Sequence, residues 1–330
     1  MIKNNYCVGL VSPSAPLPGL FPERFERGVK ALENTGYKVA LGDNVKAIGT
    51  SKENRANDIN QLFGNPAVDI IMATIGGETA SDILPFLNWD VIESNPKHFI
   101  GYSDISVLLH AIGIKGKQVV YYGPTLMTEV AEYPVPPRIS MDYFNNSMNH
   151  DSAEYTVCPN DYLFAKGTDW ALPPTERKTK INVLHKTIQN GKAEGVVLGG
   201  CLEALERIRG TEYWPDFTGA ILAIETVEDN FIEDNWQKFI TDYSNMHVLE
   251  KISGLIIGQK AWDEDDINKL SDILLSARDI KDKPIVYGLP FGHISPISTI
   301  PMYATATLNA DQMTLTYKRP FQYSYLNKVR

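Results

Sequence analysis

The first half of the chain alternates short apolar runs with amphipathic segments, and this alternation limits the folds available to it. Residues 70–75 form a continuous apolar run that ends at a glycine pair. A strand that is apolar on both faces is typical of a parallel sheet covered by helices on both sides. Further strands are predicted over residues 7–11, 37–41, 99–102 and 119–122, with helices between them. The pattern predicts a doubly wound α/β domain whose site lies at the carboxyl ends of the strands.

The sequence changes character twice after this region. Residues 131–190 are rich in proline and polar residues, and we interpret them as a linker that carries an active-site flap or irregular strands. Strand and helix patterns return from residue 191 and finish with the alternation of antiparallel strands. We therefore predict an α/β domain over residues 1–130, the linker and flap over 131–190, and a second α/β domain over 191–330.

Composition excludes several classes of function. The 330 residues carry a formal net charge of −9, so we expect no nucleic acid and no anionic membrane as partner. No apolar run reaches the length of a membrane span, and the amino-terminal residues lack a signal-peptide core, so we expect a cytoplasmic protein. Cys7, Cys158 and Cys201 are far apart and form no C-x-x-C pair, so the cysteines indicate neither a zinc site nor a disulfide framework.

The segment Gly-Tyr-Ser-Asp at 101–104 joins a predicted strand to an apolar run that we interpret as an amphipathic helix. A serine on such a turn has an exposed Oγ beside backbone N–H groups, which suits a nucleophile for acyl transfer. Gly77 offers a backbone N–H that no side chain blocks, and together with the N–H of Asp104 it would form an oxyanion hole. Ile105 stands where the nucleophile-elbow pattern has glycine, so a plain helix cap at Ser103 or Asp104 remains an alternative.

Two further residues are candidates to activate this serine. His293 follows a loop rich in glycine and proline after a predicted strand, where an imidazole can be directed into a cleft. Glu225 ends a predicted strand and could orient that imidazole by accepting its hydrogen bond. Glu228 and Asp229 lie in the same stretch, so spacing alone leaves the choice of carboxylate open.

In series, these motifs resemble the LD-carboxypeptidase family of serine peptidases, which includes murein tetrapeptide carboxypeptidases and microcin C self-immunity proteins. The resemblance covers essentially the whole chain. The segments that carry it are Ser-Pro-Ser at 12–14, Arg-Ala-Asn-Asp-Ile-Asn at 55–60, Gly-Gly at 76–77, Gly-Tyr-Ser-Asp-Ile at 101–105, Gly-Gly-Cys-Leu at 199–202, Gly-Thr-Glu-Tyr-Trp-Pro-Asp at 210–216, Ile-Glu at 224–225 and Gly-Leu-Pro-Phe-Gly-His at 288–293.

The resemblance implies a catalytic triad that spans both domains. Ser103 would be the nucleophile, His293 the general base and then acid, and Glu225 the orienting carboxylate. It also implies an oxyanion hole formed by the N–H groups of Gly77 and Asp104, and no metal or organic cofactor. The implied fold is a flavodoxin-like amino-terminal sheet followed by a swivelling β/α domain, and the implied assembly is a homodimer.

Substrate choice divides the family into two branches. One branch releases terminal D-alanine from murein tetrapeptides, and the other cleaves the bond between an aminoacyl group and a nucleotide-like moiety. The stretch that begins at Glu78 is more similar to the immunity branch than to the carboxypeptidase branch. Gly76 and Glu78 are candidates for substrate binding. Trp170 in the flap could stack on a nucleobase or anchor the flap to the body of the protein. Glu264 could meet a substrate amino group.

Two departures from the immunity branch qualify this interpretation. The residues after Glu225 include no lysine or arginine, although that branch has a basic residue there, and Cys201 stands where the family often has asparagine. We predict a cytoplasmic serine hydrolase that acts on a small peptidyl-nucleotide substrate, with an LD-carboxypeptidase as the alternative. A binding protein without turnover and a cysteine enzyme that uses Cys201 are the remaining alternatives.

Overall fold

The structure is a computed structural model. It describes residues 6–148, 152–165, 169–176 and 179–325. Parts of the predicted flap, at 149–151, 166–168 and 177–178, lie outside the described residues, as do both chain ends. No helix within the described ranges is long and apolar enough to cross a membrane.

Five parallel strands near the amino terminus confirm the predicted doubly wound sheet. They are β1 (Cys7–Val11), β2 (Lys38–Leu41), β3 (Ile70–Ala73), β4 (His98–Gly101) and β5 (Val120–Tyr122). Their order across the sheet is β5-β4-β3-β1-β2. All four residues of β3 are buried, as its unbroken apolar sequence predicts.

Most of the later strands form a second sheet. They are β6 (Glu154–Val157), β7 (Tyr162–Phe164), β8 (Lys180–Asn182), β9 (Lys186–Gln189), β10 (Lys192–Cys201), β11 (Ile221–Glu225), β12 (Gly254–Gly258), β13 (Ile285–Leu289), β14 (Ile300–Met302), β15 (Thr305–Asn309) and β16 (Thr314–Lys318). Eight of them lie in the order β6-β16-β15-β10-β11-β12-β13-β9, β7 pairs with β8 alone, and β14 lies antiparallel to β5 at the edge of the first sheet. The strands β10 to β13 are parallel to one another, which brings their carboxyl ends to one edge.

Helices cover both sheets. They are α1 (Leu17–Leu20), α2 (Pro22–Asn34), α3 (Lys52–Gly64), α4 (Trp89–Ser94), α5 (Ser106–Lys115), α6 (Arg138–Met148), α7 (Leu202–Leu205), α8 (Glu233–Asn245), α9 (Val248–Lys251) and α10 (Glu264–Ser276). Short 3-10 turns span Ala80–Phe86, Ser103–Ile105 and Arg278–Ile280, and a π-helical turn spans Leu126–Val130. Ser51 caps α3 by accepting a hydrogen bond from the N–H of Asn54.

Two expectations need correction. The run after Ser103 is not amphipathic, because α5 is buried from residue 106 to 114 between the first sheet and the region of β10 and α7. The stretch 131–190 contains the regular helix α6, which we did not predict, and its strand β6 pairs with β16 in the second sheet. The bounds of the two predicted domains stay a prediction.

A buried histidine connects the two sheets. His110 on α5 bonds through Nε2 to the carbonyl oxygen of Gly199 on β10 at 2.7 Å, and through Nδ1 to the hydroxyl of Tyr303 at 2.7 Å. A carbonyl can only accept, so Nε2 carries the proton and Nδ1 accepts from the phenol. Burial lowers the pKa of His110 to about 4, so the imidazole is neutral at physiological pH.

This neutral histidine predicts a loss of stability in acid. In the unfolded chain His110 binds a proton near pH 6.5, whereas in the fold it does so only near pH 4. The unfolded state therefore gains stability as pH falls through this window, by up to about 1.4 kcal/mol per pH unit for one proton. The free energy of unfolding, measured in urea at pH 6.5 and 4.5, should depend less on pH for His110→Gln than for the native protein. Equal slopes would contradict this role.

Candidate active site

Ser103 lies on a sharp turn at the carboxyl end of β4. Its φ of 63° is in the left-handed region, which is uncommon for a residue other than glycine and costs backbone strain. A Cβ at Gly76 would lie 2.9 Å from Cβ of Ser103, so the glycine lets the neighbouring turn approach the serine closely. Ser103 therefore stands on a strained strand-to-helix turn of the kind that the sequence predicts.

Ser103, His293 and Glu225 form one hydrogen-bonded chain. Nε2 of His293 lies 2.9 Å from Oγ of Ser103, and Nδ1 lies 2.9 and 3.1 Å from the two carboxylate oxygens of Glu225. The backbone N–H of His293 also donates to Glu225 Oε2 at 3.2 Å. The sequence left Glu228 and Asp229 open as the partner of the histidine, and the structure brings Glu225 to it.

The Glu225 carboxylate is buried, with 1% of its surface exposed. Burial by itself would raise its pKa, but His293, Lys260 and a hydrogen bond from Tyr122 together outweigh burial, and the pKa lies below its usual value. The hydroxyl of Tyr122 donates to Glu225 Oε1 at 2.6 Å. Burial and the nearby Glu225 raise the pKa of Tyr122 itself, so the phenol keeps the proton that it donates.

The absence of a side chain at Gly292 leaves room for the Glu225 carboxylate. The φ of Gly292 is 116°, and a Cβ there would lie 2.8 Å from Oε2 of Glu225. The glycine that precedes His293 is therefore required both by the backbone conformation and by the carboxylate packed against it.

Asp104 follows the serine in the chain, and Gly77 follows Gly76, which packs against the serine. Gly77 has a φ of 149°, and within the part of the chain that the structure describes no hydrogen bond uses the N–H of Gly77 or of Asp104. The Asp104 carboxylate is buried and fixes this turn: it accepts from Ser14 Oγ at 2.6 Å, from the N–H of Ala80 at 2.8 Å and from Arg207 at 2.6 Å. Arg207, which follows α7, thus stabilises the turn after β4 that carries Ser103.

A cavity of about 430 Å³ opens beside His293. Its lining consists of Tyr102, Thr128, Glu129, Leu163, Phe164, Trp170, Ile181, Val227, Asp229, Lys260, Ala261, His293, Ile294 and Ser295. Trp170 lines this cavity and also packs edge-on against Phe21, with 5.7 Å between ring centroids, while the guanidinium of Arg24 lies 4.2 Å from its ring. The indole therefore contacts both the cavity and the body of the protein.

The other predicted binding residues do not line this cavity. Glu78 and Glu264 are exposed and outside the cavity lining, and Gly76 is buried behind Ser103. Their roles in binding stay predictions.

Cys201 lies beside the triad without taking part in its hydrogen bonds. Burial, with Glu225 and Glu203 nearby, raises the pKa of its thiol well above the usual value, which disfavours a thiolate nucleophile. Ligand atoms of Cys201, Glu225 and His293 lie within 4.8 Å of one another, close enough to hold a metal ion, yet Glu225 and His293 are already bonded to each other. The expected absence of a metal stays a prediction.

Three supporting residues were missed by the sequence analysis. Tyr122, Arg207 and Lys260 all contact the triad or its turns. Tyr122 ends a predicted strand and Lys260 comes two residues after β12, so their places at carboxyl ends of parallel strands were the signal that could have found them. Arg207 follows α7 and has no comparable signal.

A serine bonded through a histidine to a buried carboxylate, on a strand-to-helix turn of an α/β fold, is the arrangement of a serine hydrolase. Family models agree with this class: residues 8–123 match the LD-carboxypeptidase N-terminal domain and residues 194–308 match the LD-carboxypeptidase C-terminal domain. The chain belongs to the LD-carboxypeptidase family of serine peptidases.

Individual relatives and structures support this assignment. The microcin C7 self-immunity protein MccF of Escherichia coli is 30% identical over 94% of this chain and 92% of its own length. A probable murein peptide carboxypeptidase of Bacillus subtilis is 25% identical over 93% of this chain and 90% of its own. A structure of MccF with glutamyl sulfamoyl guanosine superposes with a TM-score of 0.86 at 28% identity, covering 96% of this chain and 97% of that chain. MccF has also been solved with aspartyl sulfamoyl adenosine, again with a TM-score of 0.86, at 27% identity and the same coverage.

A substitution at Gly292, which packs against Glu225, tests the geometry of the hydrogen-bonded chain from Ser103 to Glu225. Gly292→Ala should push the carboxylate away from His293 and slow covalent labelling of Ser103 by a fluorophosphonate roughly 100-fold, because small displacements in such a site are costly. Gly36→Ala is the matched control, since Gly36 has a similar φ of 99° but no atom within 4 Å of its added Cβ. Equal labelling rates for the two variants would contradict the geometric argument.

Proposed function

We propose that this protein is a cytoplasmic serine hydrolase that cleaves an amide or acyl bond in a small peptidyl-nucleotide, an aminoacyl-adenylate-like substrate, with Ser103, His293 and Glu225 as its triad. The hydrogen-bonded chain from Ser103 Oγ to the Glu225 carboxylate carries the proposal. We further propose that the protein is a homodimer that uses no cofactor and binds neither nucleic acid nor membrane. The net charge of −9 supports the last point.

In the proposed reaction, Ser103 Oγ attacks the substrate carbonyl while its proton passes to Nε2 of His293. Nδ1–H donates to Glu225, whose lowered pKa keeps the carboxylate ionised to stabilise the imidazolium. The negative charge on the carbonyl oxygen is stabilised by the N–H groups of Gly77 and Asp104. His293 then gives its proton to the leaving group, and water, activated by the same imidazole, releases the acyl group from Ser103.

The ligands solved with MccF support a nucleotide-linked substrate. MccF, the 30% identical relative, has been solved with aminoacyl sulfamoyl nucleosides. In this chain Trp170 lines the cavity beside His293, where an indole can stack on a nucleobase. An LD-carboxypeptidase that releases D-alanine from murein tetrapeptide is the second candidate, and the relationship to a murein peptide carboxypeptidase supports it.

Removal of the nucleophile or the base should abolish turnover. Ser103→Ala and His293→Ala should each lower kcat about 10⁴-fold or more, because oxyanion stabilisation and binding alone leave little catalysis. Mass spectrometry of aspartyl sulfamoyl adenosine and murein tetrapeptide, incubated in parallel, would follow both candidate reactions. Ser276→Ala, an exposed serine on α10, is the control and should retain native turnover. Native-like turnover by Ser103→Ala would refute the triad.

Substitutions at Trp170 and Phe21 test whether the indole of Trp170 stacks on the substrate or anchors the flap. Trp170→Ala should raise KM for the nucleotide-linked substrate roughly 10-fold, since base stacking on an aromatic ring contributes about 1–3 kcal/mol. Phe21→Leu loosens the edge-on contact under the indole without changing the cavity lining, so it should have little effect on KM. An equal rise in KM in the two variants, for peptide and nucleotide substrates alike, would instead indicate that Trp170 anchors the flap.

A further inference from the structure

Cys201 adds a third potential metal ligand to the histidine and the carboxylate of the triad. One ligand atom from each of Cys201, Glu225 and His293 lies within 4.8 Å of the other two. Zinc binds thiolate, imidazole and carboxylate ligands at about 2.0 to 2.3 Å, so the ligand atoms of a tetrahedral site are about 3.3 to 3.6 Å apart. Shifts of about 1 Å would therefore let these three side chains enclose such an ion.

The two ring nitrogens of His293 have different partners. Nε2 lies 2.9 Å from Oγ of Ser103, and Nδ1 lies 2.9 Å from Oε2 of Glu225. Nδ1 is therefore the nitrogen available to an ion that Glu225 and Cys201 also bind. Such an ion would replace the hydrogen bond between Nδ1 and the carboxylate, and it would lie on the side of the imidazole that faces away from the nucleophile.

A second cavity, of about 230 Å³, lies on the other side of the segment that follows Glu225. Residues 226, 228 and 230 line it, whereas residues 227 and 229 line the cavity beside His293. Its lining includes Arg209 and Lys238, which are ion-paired within the lining, and four carboxylates, those of Glu203, Glu206, Glu228 and Asp242. The excess of carboxylates attracts cations to this side of the segment.

Glu203 connects the second cavity to the thiol of Cys201. It belongs to the cavity lining, and its Oε2 accepts a hydrogen bond from Sγ of Cys201 at 3.2 Å. A divalent cation in this cavity is thus one side chain away from the thiol. Glu203, Glu225 and the ionised thiol would together carry three negative charges. The ammonium of Lys260, which acts on Glu225 electrostatically, opposes them with one positive charge.

We propose that Cys201, Glu225 and His293 form an inhibitory site for Zn²⁺ and other divalent cations that bind thiolates. Binding releases the thiol proton to solvent, and the ligands are then a thiolate, a carboxylate and Nδ1 of the imidazole. Because Nδ1 loses its proton to become a ligand, the neutral imidazole carries its proton on Nε2. Nε2 then donates to Ser103 and can no longer accept the serine proton. The ion is an inhibitor and not a cofactor, so the proposal goes beyond the proposed function, although its inhibitory effect rests on the proposed triad.

Cobalt(II) tests binding without any turnover. A site with a cysteine ligand should give a thiolate-to-cobalt charge-transfer absorption and the intense visible bands of a tetrahedral ion, at one cobalt per chain. Cys201→Ser should remove the charge-transfer band. Cys158→Ser, which changes an exposed thiol, is the matched control and should keep it. Absence of the band in the native protein, or its persistence in folded Cys201→Ser, would overturn the proposal.

His293→Ala is the second variant if Cys201→Ser does not fold. It keeps the thiol but removes Nδ1, so the affinity for cobalt should fall roughly 10-fold or more, since loss of a ligand costs at least as much as loss of an outer-shell partner. An unchanged affinity in His293→Ala would overturn the proposal.

Inhibition is measured by covalent labelling of Ser103 with a fluorophosphonate, which requires no known substrate. Saturating Zn²⁺ should slow labelling of the native protein and of Cys158→Ser at least about 10-fold, and a chelator should restore the rate. Mg²⁺ should have no effect, because it prefers oxygen ligands. Cys201→Ser should require roughly 100-fold more zinc for the same inhibition. Equal sensitivity of Cys201→Ser and the native protein to zinc would overturn the proposal.

The proposed function fails separately from the metal site. If the native protein binds cobalt through Cys201 but shows no turnover that depends on Ser103, the metal site stands and the hydrolase proposal falls. If turnover depends on Ser103 but no cobalt binds through Cys201, the hydrolase proposal stands and the metal site falls.

Discussion

The hydrogen bond between the buried Glu225 carboxylate and His293 is the interaction around which the site is assembled. A carboxylate with 1% of its surface exposed needs compensating contacts, and these come from separate parts of the fold. His293 follows β13, Tyr122 ends β5, and Lys260 lies beyond β12. Each of these segments must be in position for the charge to be tolerated, so the cost of burying one carboxylate ties the surrounding elements into a single arrangement.

Close packing between the sheets fixes where this arrangement meets the serine. Ser103 follows a strand of the first sheet, whereas Glu225 ends one strand of the second sheet and His293 follows another. The N–H of Cys201 on β10 donates to Ser106 Oγ at the start of α5, three residues beyond the nucleophile. A Cβ at Gly200 would lie 2.7 Å from the same oxygen, so β10 and α5 touch at backbone distance. Such contact leaves little freedom for the nucleophile to move relative to its base.

The sequence predicted the elements whose signal is local. Unbroken apolar runs such as β3 and the glycines around Ser103 and His293 have direct physical causes in burial and backbone conformation, and the strands and the candidates Ser103 and His293 were predicted from them. Spacing alone left Glu225 open with its acidic neighbours, and only the family resemblance singled it out. Helix α6 was obscured by the prolines near it, although Met141, Phe144 and Met148 have helical spacing. Lys260 and Arg207 could not be assigned, because their importance comes from side chains that are distant in sequence.

The strand β14 has a consequence for how this chain can be divided. It leaves the second half of the sequence, pairs with β5 at the edge of the first sheet, and the chain then returns as β15 beside β10. Within this pairing Ile300 lies opposite Tyr122, the donor to Glu225. Residues that match the second family model therefore complete the sheet of the region that matches the first. An exchange of halves between relatives would have to keep this edge complementary or leave an unpaired, aggregation-prone strand.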